Sequence, residues 1–264
     1  MAASEHPVFL APDDPKATIW RYMDLPKYMS MLQNRCLWFA RARCTTGDPH
    51  GDAHEGSIPA ATVEARQHRL DHLGPPVEVL EHMGASDSRQ AREEANWTYL
   101  NCWHMSKHES AAMWKIYGRS LECVAVLSSY QRLCEALPED VHVGVVRYID
   151  YDADFIEPNN SFAPFMHKQR AFEYEQEIRA VTRAGFLPRL QHEVRKWNKN
   201  GRPAVEAEPP PGKTVVVPLE KLIEAVYVGP LAPKWFFDIV TGVTAKYGLG
   251  VAVVRSGLDD PPLF

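Results

Sequence analysis

Phe172-Glu173-Tyr174-Glu175-Gln176-Glu177-Ile178-Arg179-Ala180-Val181 is the stretch on which the reading of the fold turns. From Gln176 to Val181 it reads as a strand, and side chains alternate along a strand. Glu175, Glu177 and Arg179 then share one face, and Gln176, Ile178 and Ala180 the other. Two acids and a cation on one face suit a cleft wall, where one carboxylate stabilises positive charge and the other hydrogen-bonds a nucleophile or a sugar hydroxyl. The competing reading of this segment alone is a solvated strand face on which Arg179 balances two acids.

Outward from this stretch, strands and helices mix without a strict βαβ rhythm. Ile19 to Met23 reads as a strand. Asp24 caps a helix with Pro26 in its first turn, and Leu25, Tyr28, Met29 and Leu32 fall at helical spacing up to Asn34. A second strand runs from Cys36 to Ala40. Helices are expected at 59–72 and 86–96, a strand from Thr98 to Met105, and a short helix from Ser110 to Tyr117 ended by Gly118. Leu121 to Leu127 reads as a strand, Tyr130 to Ala136 as a helix, and Val141 to Ile149 as one alternating strand. The end reads as a strand at 214–217, a helix at 219–224, a strand at 225–228, a helix at 233–247 and a strand at 250–254. The class is α+β, with mixed, mainly antiparallel sheets and flanking helices. Residues 1–18, with Pro7, Pro12 and Pro15, form a flexible lead-in. Residues 19–258 make one domain with an exposed basic insertion at 187–213, and 259–264 are a tail.

The 264 residues are 45% hydrophobic, ample for a substantial core. A net charge of −5 speaks against a generally basic nucleic-acid surface but leaves room for a local basic groove. Five cysteines without a C-x-x-C pair read as reduced thiols of a cytoplasmic protein. No signal peptide and no apolar run long enough to span a membrane is visible, so no membrane partner is expected. Dinucleotide-fold, P-loop and hydrolase-elbow signatures are absent. Asp48, His50, Asp52, His54 and Glu55 are of metal-ligand type but lack a metal-site spacing, so no metal is expected.

Two further clusters bear on chemistry. His104, Ser106 and Glu109 sit where a strand runs into a helix, and helix amides after Ser106 can receive an anion. Ser106 reads equally well as a structural residue at that helix start, and Met113, Trp114 and Tyr117 as the helix's core face. Arg21, within the bulky run Trp20-Arg21-Tyr22, would be costly to bury unpaired, so it reaches solvent or meets an anion.

Taken together these segments resemble the bacterial DUF2971 family, a group of unknown function. The family's opening aromatic-basic strand is matched by Trp20-Arg21-Tyr22-Met23, and its Asn-Asp-Pro-Phe-Glu loop by Gly47-Asp48-Pro49 with Glu55-Gly56. Its strand and Met-Trp-x-x-Tyr helix correspond to Cys102-Trp103-His104-Met105-Ser106 and Met113-Trp114-Lys115-Ile116-Tyr117. Its aromatic-x-x-Glu-x-Glu-x-Arg strand corresponds to Phe172–Arg179, preceded by Lys168, and its closing strands to Val226–Pro230 and Val253–Ser256. The acidic loop departs from the pattern, with Asp48-Pro49-His50-Gly51 in place of the aromatic-acid ending.

A looser similarity is to the ADP-ribosyltransferase core, in which a first-strand Arg, His or Tyr, a middle Ser or Tyr and a late Glu-x-Glu occur in order. Arg21 (or Tyr22), Ser106 and Glu175-Gln176-Glu177 have that order. The similarity implies an enzyme that uses NAD as substrate and cleaves its nicotinamide–ribose bond, as a transferase or a glycohydrolase. It implies Glu177 at the ribose 2′-hydroxyl, Glu175 positioning the acceptor (a protein or a nucleic acid), Arg21 at the pyrophosphate and Tyr117 stacked on nicotinamide. Ser106 completes the catalytic set, and Tyr22, His104 and Trp114 the nucleotide contacts. The alternative is a non-catalytic nucleic-acid or protein-binding module that uses the basic segment 187–213.

Overall fold

The computed structural model describes residues 6–42, 52–73, 94–118, 121–157, 160–184 and 209–260. Most of the basic insertion, most of the helix expected at 86–96 and the Asp48–His50 part of the acidic loop lie outside them. The strands are β1 (Thr18–Asp24), β2 (Cys36–Arg41), β3 (Thr98–Met105), β4 (Cys123–Ser129), β5 (His142–Val145), β6 (Arg147–Ile149), β7 (His167–Gln169), β8 (Glu177–Arg183), β9 (Gly212–Val216), β10 (Ala225–Val228) and β11 (Ala252–Arg255). The helices are α1 (Leu25–Asn34), α2 (Ala60–Leu73), α3 (Ala111–Gly118), α4 (Tyr130–Ala136), α5 (Leu219–Leu222) and α6 (Lys234–Lys246). This is a mixed α+β fold. Its main sheet is antiparallel except where β11 joins β10, and β6 and β7 form a small parallel pair.

The main sheet branches at β3. β8 occupies one edge of β3 throughout, from Thr98 opposite Arg183 to His104 opposite Glu177. A strand has two edges, so β1 and β2 share the other. β1 pairs at Trp20–His104 and Ile19–Met105, and β2 at Ala40–Leu100 and Arg41–Tyr99. Between them, Asn101, Cys102 and Trp103 have no strand beside them on that edge. From this gap one limb continues through β1, β4, β10 and β11, and the other through β2 and β9.

Local chemistry sets the elements around the gap. Asp24, in extended conformation, accepts from the Lys27 amide (2.8 Å), and Pro26 presets the first turn of α1. The buried side of α1, Tyr28, Met31 and Leu32, packs into the core on the face that carries Ile19, Met23, Trp103 and Ile178. The Tyr28 hydroxyl meets the Thr244 hydroxyl of α6 at 2.8 Å, so this buried polar group is satisfied. Asp24→Ala is expected to lower stability by about 1 kcal/mol, read as a shifted urea midpoint. No shift would show that Pro26 and packing alone start the helix.

On the opposite face, Trp20, Tyr22, Cys123 and Ala125 pack under Met113 and Trp114 of α3. Glu109 ties this helix to the end of the described chain. Its carboxylate accepts from Trp114 Nε1 (2.9 Å), the Ser256 hydroxyl (2.5 Å) and the Gly257 amide (2.7 Å).

Two expectations change. The stretch Val141–Ile149 is not one strand. It breaks at Val146, whose amide donates to the Glu177 carbonyl (2.9 Å), so β5 stays with β8 while β6 leaves to pair with β7. Glu175 is also not in the strand. Gln176 adopts a left-handed conformation (φ 40°) that ends a 3-10 turn over Arg170–Glu175, and its side-chain amide donates to the Glu173 carbonyl (2.7 Å). The two acids therefore come together across a turn, while Glu177 and Arg179 share a face through the pleat.

Candidate functional site

The gap in the sheet opens into a cavity of about 490 Å³, within the range of small-molecule sites. Arg21 reaches into it from β1. Its guanidinium donates to the Cys102 carbonyl (Nη1, 3.2 Å) and the Trp38 carbonyl (Nη2, 3.5 Å), and it lies 5.9 Å from the centre of the Trp103 ring. The Asn101 side chain donates to the same Trp38 carbonyl at 2.8 Å. Side chains thus bridge a place where a continuous sheet would have backbone ladder bonds. No carboxylate among the described residues pairs with Arg21, and burial lowers its pKa. A cation so placed favours an incoming anion.

Glu175 and Glu177 also line the cavity, and each is only 3% exposed. A solvated strand face is therefore excluded. They belong to a chain of buried charges. Glu177 accepts from Arg179 through Nε (2.7 Å) and Nη2 (2.9 Å), and from Lys168 at 3.4 Å. Arg179, fully buried, also holds Glu55 (2.7 Å) and donates to the Phe165 carbonyl (2.6 Å). Lys168 bonds Glu175, whose other oxygen accepts from the Tyr117 hydroxyl at 3.3 Å.

Among the described residues two cations thus serve three carboxylates, a formal net charge of −1 for the group. The acids share unequally. Burial alone would raise the pKa of Glu177, but Arg179 and Lys168 outweigh it and hold it at about 2. Glu55 and Glu175 are raised, because burial outweighs their share of one cation each. Lys168 is held protonated against the cost of burial by Glu177 and Glu175. Cys102 has open surface toward the cleft and protein on its other sides. Burial, then the neighbouring Glu177, push its thiol well up, so it remains protonated.

Of the residues expected from the sequence, Arg21, Tyr22, His104, Tyr117, Glu175 and Glu177 line this one cavity. His104 donates through Nδ1 to the Glu175 carbonyl (2.6 Å), and burial lowers its pKa. The Tyr22 hydroxyl accepts from the Ser110 amide (2.8 Å). Ser106 and Trp114 are not among the lining residues. The Ser106 hydroxyl accepts from the His108 amide (3.2 Å), and the helix that follows is capped instead by Ser110, which accepts from the Met113 amide (3.4 Å). Trp114 is 4% exposed in the core.

Glu55 stands among metal-ligand types in the sequence, yet its partner is Arg179. Asp52 anchors its loop by accepting from the Gln169 amide (2.9 Å) and the His54 amide (2.8 Å). No group of three His, Cys, Asp or Glu side chains among the described residues is placed to hold a metal ion. No helix among them is long and apolar enough to cross a membrane. Trp38, Cys102 and Lys168 in its ion-pairing role were missed by sequence reasoning. For Trp38 the available signal was alternation, since its neighbours Leu37 and Phe39 are buried and it must face the other way.

No protein-family model matches the chain, and no curated protein matches it significantly. The resemblance to the DUF2971 family therefore rests on the quoted residues alone. Among solved structures, Thermus sp. 2.9 DarT in complex with carba-NAD+ is similar at 12% identity and a TM-score of 0.36, over 94% of this chain and 98% of that one. A likeness at that level assigns neither activity nor ligand.

Proposed function

We propose that the cleft takes NAD and cleaves its nicotinamide–ribose bond, as an ADP-ribosyltransferase or an NAD glycohydrolase. The observation that carries this reading is one cavity bordered by a guanidinium that no described carboxylate pairs and by a buried group of formal net charge −1. An anionic pyrophosphate suits the first, and a sugar carbon that becomes positive suits the second. As the glycosidic bond breaks, its electron pair leaves with nicotinamide and positive charge builds on the ribose. A preorganised negative group of buried carboxylates favours that charge more than the ground state. Glu177, anionic throughout the neutral range, accepts from the ribose 2′-hydroxyl. Glu175, with its raised pKa, takes the proton from the attacking acceptor or water. The nucleic-acid-binding alternative draws on the basic segment, whose residues 187–208 lie outside the described part.

The test is nicotinamide release from NAD by the purified chain, with Arg21→Ala beside it. Charge-assisted hydrogen bonds of this kind are worth about 1.5–3 kcal/mol, so KM is expected to rise about 10- to 100-fold with kcat less affected. No release from NAD with protein and nucleic-acid acceptors present would overturn the reading. An unchanged KM in Arg21→Ala would remove Arg21 from the pyrophosphate.

A further inference from the structure

Nothing in the proposed chemistry uses Trp38, yet it is 49% exposed while Leu37 and Phe39 beside it are buried. An exposed indole in a cavity wall offers a flat apolar face to whatever enters. Its position follows from register. Trp38 lies opposite Thr214 and Ala40 opposite Leu100, so the indole stands on the face that carries Cys102 and, across β3, Glu177. The ring is also seated. A Cβ on Gly212 would come within 2.1 Å of its Cζ2 and 2.4 Å of its Cε2, so the indole lies against backbone where a side chain is missing. The Trp38 carbonyl accepts from Arg21 and Asn101, which ties this platform to the Arg21 guanidinium. Trp20, Tyr22 and Trp103 also line the cavity but are buried. Among the described residues, Trp38 and Tyr117 (37%) are the exposed aromatic rings that line it.

We propose that Trp38 is the stacking seat for a second planar base, so that the cleft is built for a dinucleotide. One ring lies on Trp38, the pyrophosphate at Arg21 and the reacting half beside Tyr117 and Glu177. This rests on the nucleotide reading of the cleft and deepens it: it names the residue that holds the non-reacting base of the dinucleotide. Flat aromatic surface suits a base, which offers a π-face on each side.

The experiment is calorimetric titration of ADP, which carries one base and the pyrophosphate but no nicotinamide, into the wild type, Trp38→Ala and Trp38→Phe. Melting curves show that each variant is folded. Loss of one base stack is expected to weaken ADP about 5- to 150-fold in Trp38→Ala, with Trp38→Phe within a few-fold of wild type. Unchanged ADP affinity in Trp38→Ala, an equal loss in Trp38→Phe, or a wild type that does not bind ADP would each overturn the seat. Failure of the cleavage reading looks different. ADP binding that depends on Trp38 in a protein releasing no nicotinamide keeps the seat and removes the reaction. Nicotinamide release with ADP affinity indifferent to Trp38→Ala does the reverse.

Discussion

Glu177→Gln is expected to lower the rate of nicotinamide release from NAD at least about 100-fold, the size of effect seen when one preorganised electrostatic contact is removed. The substitution keeps shape and removes charge. Arg179 donates to both carboxylate oxygens of Glu177, and an amide offers one acceptor and one opposing donor in their place. The buried group also changes from one net negative charge to neutral, which removes the attraction for a positive ribose. The same change should cost about 1–3 kcal/mol of stability, because Arg179 loses its two-pronged charge-assisted bond and meets an amide hydrogen, while Glu55 and Glu175 still pair the two cations. Activity must therefore be read well below the variant's melting midpoint.

A pH series separates this stability effect from general damage. The folded-state pKa of Glu177 is depressed, from 4.5 to about 2. The stability it supplies is therefore present above its unfolded-state value and is lost as pH falls toward about 2. The gap in unfolding free energy between wild type and Glu177→Gln should be full at neutral pH and narrow between 4.5 and about 2. A gap that stays constant over that window would mean that Glu177 is not ionised against Arg179 and Lys168.

Arg179→Met should be the most destabilising single change in this site. The side chain is completely buried and holds Glu55, Glu177 and the Phe165 carbonyl. Without it, three carboxylates face Lys168 alone. A loss of about 3–5 kcal/mol is expected, a large share of the stability of an ordinary domain. Glu55→Gln in the same chain removes one of the stranded acids and should restore part of it. The coupling between the two changes should exceed about 1 kcal/mol, as for groups in direct contact. Guanidinium unfolding of the two single variants and the double variant measures this. Simple additivity, or an Arg179→Met midpoint near wild type, would show that the guanidinium does not hold the acids as described.

What the sequence made legible was local. Strand Thr98–Met105, helix Tyr130–Ala136 and strand Ala225–Val228 lie where composition and turn residues place them, since strand bulk and capping are written in neighbouring residues. The signature of α1 is similarly local, from Asp24 through Pro26 to the buried Tyr28 and Leu32. The branching of β3 is not, because which strand lies beside another depends on partners 60 or more residues away, as in Asn101 to Trp38 (63 residues). The left-handed turn at Gln176 carries no glycine to announce it, and its support is a side-chain bond to Glu173. In the candidate site, residue type singled out Arg21, Glu175, Glu177 and Tyr117, which line the cavity. Burial and pairing decide what the acids do, and these come from Lys168 and Glu55, brought in by the fold. Ser106 shows the converse. A suitable residue in a suitable order stands outside the cavity, because the strand runs on past the cleft before α3 begins.

The branch at β3 has a mechanical consequence. In a continuous sheet, neighbouring strands are held about 4.8 Å apart by their backbones, whatever the side chains. At Asn101–Trp103 the spacing between β1 and β2 is instead bridged by two side chains, Arg21 and Asn101, acting on two carbonyls. The aperture of the cleft is therefore a property of individual residues. A substitution at Arg21 or Asn101 is expected to change the aperture while both limbs keep their ladders.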